Sequence, residues 1–256
     1  MKKLSLFVFV LAMMGSLSVK AEESRLSGEA GIDYYTDYIW RGIVASSAPS
    51  VQPGIGLSYA DLGPGSLSFS YWGSSYLADA ESDEANVIEN DYTFSYALDA
   101  GPVSIEAGVI YYAFAGTAGD GYSFTEVYAS FGVGLFETDG ASAGLSFAVY
   151  RDTDDTKGTY YNLGIGGEFS LNETITAGLS AGVGYGDSRN NVGYYGNAGD
   201  SIADIMLEAS VSMPINETFS VSAAVGYINV PNSDFDDAVK VAEDDTYAKI
   251  GISASF

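Results

Sequence analysis

The sequence predicts an all-β chain, specifically a transmembrane, up-and-down antiparallel β-barrel of about 12 strands. Three observations carry this expectation. Hydropathy alternates with a period of two in one segment after another, which is the signature of a strand with two different faces. Tight turns and long loops alternate between those segments. The polar strand face is mostly Ser and Gly, and charge gathers in the loops.

The chain opens with the form of a secretory signal peptide over residues 1–21: Lys2 and Lys3, an apolar run from Leu4 to about Met14, then Val19-Lys20-Ala21 as a small-residue cleavage site. Cleavage near Ala21 leaves 22–256 as one barrel domain. No later stretch reaches the ~18 uninterrupted apolar residues of a spanning helix, so strands are the only route across a bilayer.

The first strand is expected over 25–40. Even positions there (Leu26, Ile32, Tyr34, Tyr38, Trp40) read as lipid-facing, while odd positions (Glu29, Asp33, Asp37, Arg41) read as water-facing. Further segments follow at 51–61, 66–77, 88–98, 103–114, 124–137, 141–151, 159–171, 175–186, 202–215, 219–230 and 246–256. Each is long enough to cross when tilted, which takes ~9–11 residues. Five connections are tight: 62–65, 99–102, 138–141, 171–174 and 215–218. Longer ones run through 78–87, 116–123, 152–158, 187–201 and 231–245 and belong on the opposite, extracellular rim. A soluble sandwich would alternate too, but its solvent face would carry Lys and Glu.

Composition narrows the chemistry. The formal charge of −24 becomes −27 once Lys2, Lys3 and Lys20 leave with the signal, which disfavours nucleic acid as a partner. There is no Cys and no His, so neither Ser-His nor Cys-His nucleophilic activation can be built, and no enzyme activity or cofactor is expected. Asp33 and Asp37 on one strand face would be ~13 Å apart, too far to share a proton. The acidic clusters Asp152-Asp154-Asp155, Asp234-Asp236-Asp237 and Glu243-Asp244-Asp245 lack EF-hand spacing, so solvated loops are the simpler reading. Asn172-Glu173-Thr174 and Asn216-Glu217-Thr218 match a glycosylation pattern but sit where hairpin turns belong.

Residues 36–61, TDYIWRGIVASSAPSVQPGIGLSYAD, resemble the start of the bacterial TorF-family porins, whose signature runs S-D-Y-x-F-R-G-I-S-Q. Thr36, Trp40 and Val44-Ala45 depart from it. The terminal Phe256 on an alternating strand is similar to the carboxy-terminal signal read by the barrel-assembly machinery. The resemblance implies a pore-like barrel of undefined substrate and supplies no catalytic residues.

Continuing the strand phase turns Glu29, Asp33, Asp37, Glu106, Glu126, Glu168, Asp204 and Glu208 inward, with Arg41 and Lys249 as the main cations. These are the candidate pore-lining residues, and they describe a negative lumen. Twelve strands close at a backbone radius of roughly 12 Å, which Gly and Ser on the inner face leave partly open and inward loops can shut. The expected function is an outer-membrane porin-like channel for small hydrophilic solutes, cation-preferring. Its partners would be outer-membrane lipid, lipopolysaccharide and the solutes or cations that pass. The alternative is a non-conducting structural or adhesion barrel acting through its acidic loops.

Overall fold

The computed structural model describes residues 25–77, 88–115, 121–196, 199–232, 235 and 239–256. The expected signal peptide and the Asp234-Asp236-Asp237 cluster lie outside them.

Twelve strands form one closed antiparallel barrel, each bonded to its neighbours in chain order. They are β1 (Leu26–Tyr35), β4 (Ser50–Leu62), β5 (Gly65–Tyr76), β6 (Ile88–Ala100), β7 (Val103–Ala115), β8 (Ser123–Glu137), β9 (Ala141–Asp152), β10 (Thr159–Ser170), β11 (Thr176–Gly186), β12 (Ser201–Pro214), β13 (Phe219–Asn229) and β14 (Asp245–Ser255). β1 closes the ring by pairing with both β4 and β14, with Asp33 opposite Gln52 on one side and Gly251 on the other. Closure leaves no unpaired edge, as a bilayer requires. Two short strands, β2 (Tyr38–Trp40) and β3 (Ile43–Ser46), pair with each other apart from the wall, Ile43 also bridging Val241, and one helix, α1 (Ser188–Tyr195), follows β11.

The period of two sorts the wall. Cross-strand rows such as Leu57, Phe69 and Phe94 are exposed on the outer face, at 38%, 44% and 51%. That exposure makes sense only against lipid. Outer aromatics gather at both strand ends. Tyr71, Tyr92 and Tyr111 lie ring beside ring at the long-loop end, and Tyr59, Phe136 and Phe219 are exposed near the other. The inner rows are small: Ser58 opposite Ser68, Ser68 opposite Ser95, Ser220 opposite Ser253.

The tight turns are built as the sequence suggests. In the β10–β11 turn the Asn172 side-chain oxygen accepts from the N–H groups of Thr174 (2.9 Å) and Ile175 (2.8 Å). Asn216 does the same for Thr218 (2.9 Å) and Phe219 (2.8 Å) before β13. Both are Asx turns, so the asparagines are occupied by hairpin geometry.

One expectation fails. The first strand ends at Tyr35, not at residue 40. Thr36 is held to the wall by Ala248 through two bonds, from its N–H (3.0 Å) and to its hydroxyl (2.9 Å). Beyond it the chain bends at Asp37 and turns inward as the β2–β3 hairpin. Tyr38 and Trp40, expected to face lipid, therefore lie inside. On the other side β4 begins only at Ser50, opposite Tyr35, so β1 has no β4 partner beyond that residue and leaves the wall.

Candidate functional site

The inward hairpin turns on two residues, Arg41 and Gly42, at φ +48° and +82°, between the paired Trp40 and Ile43. Two consecutive left-handed residues make the primed turn that suits a two-residue hairpin. Gly adopts it freely. Arg does so at a cost of roughly 1–2 kcal/mol, which its surroundings offset.

Those surroundings are a buried socket. The Arg41 guanidinium donates to both oxygens of Glu126 on β8, each at 2.8 Å, with the two side chains 9% and 2% exposed. The rings of Trp40, Tyr150 and Tyr160 lie 4.4, 4.6 and 4.3 Å from the guanidinium carbon. Such a planar cation can bind a carboxylate with its edge and aromatic rings with its faces at once. Glu126 also accepts from the Tyr112 hydroxyl at 2.9 Å. The Arg41 carbonyl accepts from Tyr195 at 2.6 Å. Tyr160 donates to Asp204 at 2.7 Å. A fork of two short charged bonds inside a shell of further bonds is the geometry that repays desolvation.

Two long connections lock the hairpin in place. Helix α1 is capped by Asp187, whose side chain accepts from Asn190 N–H at 2.9 Å, and ended by Gly196 at φ +74°. Burial works to raise the Asp187 carboxyl pKa, but the N–H groups of Asn190 and Thr159, the Thr159 hydroxyl and Arg151 bring it below its ordinary value. From this helix Tyr194 meets Trp40 edge-on at 5.2 Å, and Tyr195 stacks on Phe235 at 4.4 Å. After β13 the chain returns alongside the hairpin. Val44 N–H donates to Lys240 and Ala242 N–H donates to Gly42, at 2.9 and 2.8 Å. Ala203 is wholly buried in the same cluster, Val241 packs against it, and Ala242 beside it is wholly buried too. The long-loop half of the barrel is thus filled with aromatic side chains around one ion pair.

The other half is different in kind. Glu29, Asp33 and Glu168 project from the inner face among Ser and Gly, and Asp33 lies in the field of Lys249 and Glu208. Glu208 contacts Lys249 at 3.5 Å and accepts from Tyr247 at 2.7 Å. Glu106 accepts from Tyr128. This is a polar vestibule opening toward the short turns, beneath an aromatic stopper.

The residues expected to line the lumen therefore divide. Glu29, Asp33, Glu106, Glu168, Glu208 and Lys249 face the vestibule, while Glu126 and Asp204 lie at the level of the stopper. Arg41 is inside, but at a hairpin tip rather than on a wall strand. Asp37 sits at the bend and not on the strand face with Asp33. Two inward acids were missed, Glu89 and Asp91 on β6. The parity that turns Tyr92 outward turns both of them inward.

The sequence matches no protein-family model and no curated protein sequence. Solved structures do resemble the chain. An outer-membrane channel from Pseudomonas putida F1 aligns over 95% of this chain and 100% of its own, with a TM-score of 0.57 and 9% identity. The KdgM porin aligns over 90% and 99%, with a TM-score of 0.50 and 15% identity. The NanC porin aligns over 90% and 98%, with a TM-score of 0.51 and 8% identity. At these identities, what the chain shares with them is the fold, the closed barrel of porin-like outer-membrane proteins.

Proposed function

We propose that this chain is an outer-membrane channel for small hydrophilic solutes, preferring cations, whose long-loop end is stoppered by residues 38–46. The observation that carries the reading is the two-part lumen: a Ser- and Gly-lined vestibule bearing Glu29, Asp33 and Glu168, closed above by the Arg41 socket. A vestibule walled with hydroxyls and carboxylates serves hydrated cations and repels anions. The absence of His and Cys argues against the acyl-transfer and protease chemistries that need them. The resemblance of residues 36–61 to the TorF-family porins fits this reading, and its Arg-Gly-Ile element falls on the stopper's turn. Export would remove residues 1–21, and the barrel-assembly machinery would read Phe256.

The buried Arg41–Glu126 pair also favours a second reading, a non-conducting barrel that acts through its acidic loops. Planar-bilayer recording on refolded protein separates the two. Discrete openings with a reversal potential of cation sign in a KCl gradient support the channel. Silence under both polarities, with folded protein in the bilayer, would leave the structural barrel standing.

A further inference from the structure

Beside the stopper lies a patch of inner wall whose negative charge no cation among the described residues balances. Asp91 is opposite Trp72 and Glu89 is opposite Ser74, all four on the inner face of β5 and β6. Tyr38 of the stopper roofs them, with its ring 5.5 Å from that of Trp72 and its hydroxyl in hydrogen-bonding reach of Glu89. Glu89 is 4% exposed and Ser74 2%. The Ser74 hydroxyl, one Asp91 carboxylate oxygen and the Trp72 indole nitrogen are buried without a hydrogen-bond partner among the described residues. Asp91 lies in the fields of Glu89 and Glu126, and the guanidinium that reaches this level, Arg41, is committed to Glu126.

Buried carboxylates in a dry site require a countercharge or a proton. Buried polar atoms without partners likewise call for an explanation. We infer that Glu89, Asp91 and Ser74 form a binding site for a hard divalent cation, which ties the stopper's Tyr38 edge to the barrel wall. Two carboxylates match a charge of two, and all the ligand atoms are oxygen, the set that Ca²⁺ accepts in a coordination sphere completed by water. Such a water can in turn accept from the Trp72 N–H. This site does not depend on conduction and stands or falls on binding alone.

The test uses the refolded full barrel in detergent, in choline chloride at constant ionic strength, with CaCl₂ as the probe and KCl as the control. The readouts are tryptophan emission and the thermal midpoint. The chain has two tryptophans, so Trp40→Phe leaves Trp72 as the sole reporter. Ca²⁺ should change Trp72 emission saturably and raise the midpoint, whereas KCl at matched ionic strength should do neither. Glu89→Gln with Asp91→Asn should abolish both responses, and Ser74→Ala should weaken half-saturation several-fold. Asp154→Asn with Asp155→Asn, in an outer loop, should leave them unchanged. The site is refuted by wild-type protein indifferent to Ca²⁺, which needs no variant to fold. A response that survives the Glu89/Asp91 substitutions also refutes it, as does one that disappears with the loop substitutions. A double variant more stable than the Ca²⁺-indifferent wild type would identify a protonated acid pair instead.

Discussion

Arg41 and Glu126 are 85 residues apart in sequence and bind each other through two parallel 2.8 Å bonds inside the barrel. That pair fixes the stopper to the wall. Removing one partner of a buried pair costs about 3–5 kcal/mol, because the other is left charged and dry. The wall's own hydrogen-bond ladders do not run through the hairpin. Arg41→Ala is therefore expected to loosen residues 38–46 while the barrel stays folded. In bilayers it should raise mean conductance or open probability over wild type, with heat-modifiable migration on gels unchanged. Lys at this position should rescue little, since it can neither fork onto Glu126 nor lie flat between rings.

How much of this was legible in the sequence depends on which medium each residue meets. The wall was readable because lipid on one side and water on the other impose alternation on every strand. The stopper hid behind the same alternation: Tyr38 and Trp40 keep the parity of Tyr34, so a strand that continues and a strand that folds inward look alike. The available signal was Arg41-Gly42, a pair fit for a primed turn in mid-pattern. Helix α1 had a signal too, in the Asp187 cap and the Gly196 stop, but eight residues of mixed polarity show little period. The partnership of Arg41 with Glu126 had none, since it depends on how the ring closes.

The short-turn rim is expected in the periplasm. Single Cys substitutions at Asn172 and Asn216 should resist an impermeant thiol reagent on intact cells, whereas Cys at Asp154 should react. The reverse pattern would invert the barrel and move the stopper to the inner side.

Phe256 pairs with Gly28 through backbone bonds of 2.7 and 2.9 Å, and its side chain is 65% exposed on the outer face. One lipid-facing ring contributes only ~1.5–3 kcal/mol by burial, little beside two full strand ladders. Deleting Phe256 should thus lower the yield of assembled barrel in cells far more than the unfolding midpoint of barrels folded in vitro. Normal yield in the outer membrane would remove its role as an assembly signal.

Asp187 caps α1, and its net downward pKa shift ties the helix to pH. A group held below its unfolded value of ~3.9 contributes stability above that value. This contribution fades as pH falls through the folded pKa, so α1 should hold its place at neutral pH and loosen only in strong acid. Asp187→Ala should cost about 1 kcal/mol of helix stability at pH 7 and lose the acid-dependent part. The solvent-exposed Arg151–Asp187 contact at 3.7 Å adds little, because salt screens it. Hydrogen exchange at Asn190 and Asn191 between pH 7 and pH 3, against the same amides in the variant, measures both effects.

Charge selection should come from the vestibule, and least from the acids held in the short Glu208–Lys249 and Glu126–Arg41 pairs. Glu208 has Lys249 at 3.5 Å and Glu126 has Arg41 at 2.8 Å, so each pair presents little net charge to a passing ion. Glu29, Asp33 and Glu168 face the narrow interior, where low-dielectric walls concentrate a field. Loop acids such as Asp154 and Asp155 stand in solvent that screens them beyond ~8–10 Å at physiological ionic strength. Glu29→Gln, Asp33→Asn and Glu168→Gln together should move the reversal potential in a KCl gradient clearly toward zero. Equal shifts from neutralising Asp154 and Asp155 would place the filter in the loops, and anion selectivity in the unmodified protein would overturn the cation preference altogether.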